Sequence, residues 1–146
     1  MTNAKKNLKL MSIVILALAA FTLIRLGVSV FAIDFGGADL PQGATSGAVL
    51  AAQIGVLVFS FLLLLPQIYV GVKGMKIAEK PDRSKTHIVW ATVLAVLSVI
   101  ALISPVMNLI QVGNLAGNFV ELFDLVTDAA VYIAYIAYAK QVLKAA

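Results

Sequence analysis

Residues 117–140, GNFVELFDLVTDAAVYIAYIAYAK, are apolar enough to cross a bilayer and yet contain three carboxylates. At about 100° per residue in a helix, Glu121, Asp124, Asp128, Tyr132 and Tyr135 fall within roughly an 80° arc. The opposite faces carry Leu122, Val126, Ala130, Ile133 and Ala137. Ionisable groups are costly in hydrocarbon, so this acidic stripe has to face protein, water or a ligand. The other apolar stretches are read as arranged around it.

The 146 residues are 62% hydrophobic and only 12% charged, with a mean hydropathy of +1.01. Soluble domains are about 25% charged. An integral membrane protein is expected, with apolar runs near the ~20 residues that a bilayer core requires. Helices over about 10–33, 48–74, 87–111 and 117–142 predict an all-α, four-transmembrane-helix antiparallel bundle, with residues 1–146 forming one domain. The lysine-rich start and first apolar run resemble a signal peptide. That run is too long for a usual signal core, so it is read as an uncleaved first helix.

Charge placement predicts the orientation. Lys5, Lys6 and Lys9 precede the first span; Lys73, Lys76, Lys80, Arg83 and Lys85 surround the middle loop; Lys140 and Lys144 follow the last span. Ten of the eleven basic residues thus lie on one side, which the positive-inside rule makes cytoplasmic. Both termini are expected inside a multi-pass cell-membrane protein. The net charge of +4 is explained by topology and attraction to acidic headgroups, so nucleic acid is not an expected partner.

Arg25 is the exception. It lies about fifteen residues, or ~22 Å, past the inner boundary of the first span. Thr22 and Ser29 share its face. An arginine at that depth costs at least ~2.5 kcal/mol unless it finds an anion. Counted from the opposite end of the last span, Asp124 lies ~9 Å deep and Asp128 ~15 Å deep, against ~12 Å for Arg25. Pairing of Arg25 with Asp124 or Asp128 is therefore expected. Glu121 sits nearer the surface, where an N-cap at Asn118 would place it favourably against the helix dipole.

Polar residues on the middle spans complete the candidate site. Gln53, Ser60 and Gln67 recur at seven-residue spacing on one helix face. Ser104, Asn108 and Gln111 share a face beside Pro105, which can kink the helix and free a carbonyl. Pro66 should bend the second span. The candidate ligand or ion site comprises Arg25, Gln53, Ser104, Asn108, Glu121, Asp124, Asp128 and Tyr132. His87, the chain's single histidine, is expected at headgroup level or in solvent. Trp90 and Tyr69 resemble an interfacial aromatic belt. The glycine-rich first external loop, 34–47, is read as a connector.

Three acids against one arginine leave a charge excess that a low-dielectric site cannot hold uncompensated. The expected function is therefore binding of a cation, a proton or a small ligand in an outward-facing polar pocket, in a small transporter or membrane binding protein. The alternative is a non-catalytic accessory subunit whose acidic stripe docks another membrane protein, or a second copy. Polar lining thins towards the inner side, which favours a dead-ended pocket over a through channel. HExxH, GxSxG, phosphate-loop and Cys/His patterns are absent from the sequence, so neither enzyme activity nor a metal site is expected. The residues specify no cofactor.

Overall fold

The computed structural model describes residues 2–31, 46–113 and 115–146, and among them every element is helical. The elements are α1 (Asn3–Phe31), α2 (Ser46–Glu79), α3 (Thr86–Ala101), α4 (Ile103–Val112) and α5 (Leu115–Ala145). The connector expected over 34–47 lies outside the described residues apart from its end, which is already in α2.

Three stretches are long and apolar enough to cross a membrane: Asn3–Phe31, Gly47–Glu79 and Thr86–Val112. The third joins α3 and α4, which are parted at Leu102. Pro105 explains the break. It has no N–H for the Ala101 carbonyl, and its ring crowds that same carbonyl. The chain stays nearly helical across the joint, with the Leu102 amide donating to Ser98 and Val99 and its carbonyl accepting from Val106. At the far end, Gly113 takes φ +68° and donates to the Leu109 carbonyl, a left-handed cap that stops α4.

The helices pack in a ring: α1 touches α2 and α5, while α3 touches α2 and α5 and α4 lies on α5. Side-chain pairs fix the neighbours as antiparallel. Lys9 near the start of α1 bonds Glu79 at the end of α2, and Arg25 near the end of α1 bonds Asp124 near the start of α5. One end of the ring therefore holds both termini and the α2–α3 loop (the loop end).

The core is confined to the half nearest that end. Leu8, Ile15, Val70, Ile77, Ala91, Tyr135, Ala139 and Val142 are almost fully buried there. Towards the other end burial runs out: among the described residues beyond Ala19, Leu64, Ala95 and Ala129, Pro105 alone is buried. Glycines permit the tight approach: a Cβ at Gly71 would lie 2.6 Å from Leu16 Cγ, and one at Gly74 would lie 2.6 Å from the Tyr135 ring. Much of the remaining surface is large and apolar, including Phe59, Phe61, Leu65, Val96, Ile100, Phe123 and Ile133. A surface of this kind needs lipid or protein against it, and it fits a membrane location.

Two local expectations are corrected. His87 is not solvated but 2% exposed, because the Tyr135 hydroxyl lies 2.8 Å from its Nδ1 and supplies the partner that burial requires. Asn118 is not an N-cap, since α5 already begins at Leu115 and places Asn118 inside its first turn.

Candidate functional site

Above the core the helices part around a cavity of about 430 Å³. Thr22, Arg25, Leu26 and Ser29 line it from α1, and Val56, Leu57 and Ser60 from α2. Ala101 closes it where α3 ends, and α5 contributes Glu121, Asp124, Leu125 and Asp128. The i, i+3, i+7 spacing of the three acids puts all of them on the one α5 face that looks inward.

The deep arginine finds its anion. The Arg25 guanidinium donates to Asp124 Oδ2 at 2.8 Å, one of the two pairings that depth and charge allow. The pair is not sealed: the side chains remain 61% and 38% exposed, and both line the cavity. Ser29 is turned back on its own helix, donating to the Arg25 carbonyl at 2.9 Å. Pro105 leaves the Ala101 carbonyl without its helical donor at the same cavity wall. Asp128, one turn nearer the core along α5, lines the cavity as well.

A second cavity, about 220 Å³, adjoins the first and shares Thr22, Ser60, Ala101, Leu125 and Asp128 with it. It carries the polar lining one step inward with Gln67, Ser98 and Tyr132. Gln67 and Tyr132 are only 8% and 4% exposed, so the packed core begins at their level. Ser98 donates to Leu94 within its own helix.

Of the candidate residues, Arg25, Glu121, Asp124 and Asp128 thus meet in one cavity and Tyr132 in its extension. Gln53, Ser104 and Asn108 are exposed and line neither space. The seven-residue row of α2 divides, with Ser60 and Gln67 inside and Gln53 outside. No family model, curated protein or solved structure matches the chain. What the cavity can do follows from its own chemistry.

The three carboxylates are strung along α5. Among the described residues no three such ligands gather around one point as a metal ion would demand. The arrangement instead offers distributed negative charge, one fixed cation, hydroxyls from Thr22 and Ser60, and apolar walls from Val56, Leu57 and Leu125. That combination suits a small organic or hydrated cation.

A separate polar cluster lies in the core and was not legible from spacing. Tyr135 donates to the Val70 carbonyl at 3.1 Å and lies 2.8 Å from His87 Nδ1. His87 Nε2 lies 3.1 Å from the Ser84 carbonyl. A carbonyl can only accept, so Nε2 carries a proton there, and in the neutral ring Nδ1 is left to accept from Tyr135. The tyrosine proton is then shared between His87 and Val70. The cluster ties the α2–α3 loop, α3, α5 and α2 together.

At the loop end Lys73 donates to Asp82 at 2.9 Å and the Ser84 amide donates to it at 2.7 Å. The Lys73 ammonium beside Asp82, then the Ser84 amide, hold this carboxyl below its ordinary value of 3.8.

Proposed function

We propose that the chain is a four-span membrane protein, with the loop end in the cytoplasm, that binds a small cationic ligand in the acidic cavity between α1, α2 and α5. The observation that carries this reading is the meeting of Glu121, Asp124 and Asp128 with a single arginine in one space of about 430 Å³. With all four ionised, Asp124 is balanced by Arg25, and Glu121 and Asp128 remain to attract a cation. Excess charge of one sign in a low-dielectric cleft is relieved by binding the other sign.

The four-span assignment treats α5 as the fourth span. Its 31 residues exceed the bilayer requirement, and the acids that lower its hydropathy line the cavity rather than the lipid face. Orientation follows from the concentration of lysine and arginine at the loop end. Closure of the polar lining at Gln67 and Tyr132 supports a dead-ended binding site, and the protein is read as non-catalytic.

The test is thermal unfolding of the purified protein in detergent with and without tetramethylammonium, guanidinium or sodium. A ligand present at a hundred times its Kd stabilises by about 2.7 kcal/mol. At least one of these cations should raise Tm in the wild type, and Asp128→Asn should abolish the rise. Equal responses in the two proteins would remove the cavity as the site.

The openness of the Arg25–Asp124 pair favours one second reading. A polar helix of another membrane protein, or of a second copy, could complete the cleft, making this an accessory subunit. A stoichiometric partner retained on purification from native membrane would favour it.

A further inference from the structure

The α2–α3 face carries a separate recess. Leu62, Leu65, Pro66 and Tyr69 of α2, with Trp90 of α3, line a groove of about 400 Å³ that contains no charged residue. Tyr69 and Trp90 are 38% and 43% exposed, so both rings stand open to the surroundings. Tyrosine and tryptophan concentrate where a bilayer meets water, with the ring in hydrocarbon and the polar tip wet.

The register of α2 places cations on the same stripe, one to three turns nearer the loop end. Taking 100° per residue, Lys73, Lys76 and Lys80 fall within about 40° of Tyr69, at roughly 6, 10 and 16 Å along the axis. Lys73 is occupied by Asp82. Lys76 is exposed and makes no ion pair among the described residues. The groove thus runs in order from apolar floor, through two amphipathic rings, to free positive charge. A second copy of the chain would bring a second basic rim against the first, which disfavours self-association here. One occupant matches the whole sequence of chemistry.

We propose that this groove binds a phospholipid with an anionic headgroup, its acyl chain along Leu62 and Leu65 and its phosphate against Lys76. The proposal rests only on the helices crossing a bilayer and stands whatever the acidic cavity holds. Each basic residue near the surface raises the local preference for an anionic headgroup about fivefold.

Trp90 is the sole tryptophan of the chain, so its fluorescence reports on this groove without labelling. The full chain is reconstituted in phosphatidylcholine vesicles doped, at matched mole fraction, with bromine-tagged phosphatidylglycerol or bromine-tagged phosphatidylcholine. The anionic quencher should act several-fold more strongly than the zwitterionic one. Lys76→Gln should cut that selectivity about fivefold, while Lys144→Gln on α5 leaves it unchanged. Equal quenching by the two lipids, no quenching by either, or an equal loss in both variants would overturn the proposal. Failure of the cation-binding test would leave these results untouched, so the two readings fail separately.

Discussion

Gly74→Ala tests how tightly the loop end is assembled. The added Cβ would meet the Ser12 hydroxyl and lie 2.6 Å from both Cε2 and the hydroxyl of Tyr135. Tyr135 is fully buried and cannot swing aside into solvent. Overpacking of this kind costs about 1–3 kcal/mol. Displacing the ring also weakens its bonds to the Val70 carbonyl and to His87, worth about 1 kcal/mol each. Alanine returns about 1 kcal/mol of helix propensity over glycine. The net expectation is a loss of about 3 kcal/mol, dominated by the packing of one ring. Gly55→Ala is the matched control, because nothing lies within 4 Å of its Cβ position; it should be neutral or slightly stabilising. Unfolding in mixed micelles with increasing dodecyl sulfate, followed by circular dichroism, gives both values. If Gly74→Ala falls within about 0.5 kcal/mol of the control, the spread of ordinary surface substitutions, the account of the core is wrong.

Two further outcomes follow from the same end of the molecule. Tyr135→Phe keeps the ring but leaves His87 Nδ1 without its partner, at a cost of about 1–3 kcal/mol; a double-mutant cycle with His87→Ala should show coupling, and strict additivity would contradict the cluster. Asp82 titrates below its ordinary value of 3.8 in the folded protein. Its contribution is therefore present above that value and lost as pH falls through the lower, folded one. Asp82→Asn should flatten this acid limb of the stability profile, and an unchanged limb would show that the Lys73 contact does not persist in solution.

Depth counting narrowed the partner of Arg25 to Asp124 or Asp128 because a bilayer converts sequence distance into level, and because a deep cation has few anions to choose from; the structure selects Asp124. The convergence of Glu121 and Asp128 on the same cavity came from their common helix face. The other wall was less readable. Gln53 and Ser60 share a face in an ideal helix, yet only Ser60 lines the cavity. The helices diverge above the core, and a residue two turns further along α2 has left the cleft. Ser104 and Asn108 follow the break at Leu102, so a face drawn through an unbroken third span misplaces them. The burial of His87 is hidden from the sequence for a different reason: its partner stands 48 residues away, and spacing along the chain carries no trace of that contact.

The confinement of close packing to one end has a mechanical consequence. The helical ring forms a tweezer with a stiff heel and compliant tips, so the tip separation can change while the buried side chains of the heel keep their neighbours. Work done on the tips, by a bound cation drawing α5 towards α1 or by a change in lateral pressure, would be absorbed as splay about the heel. The basic loop would stay where it is.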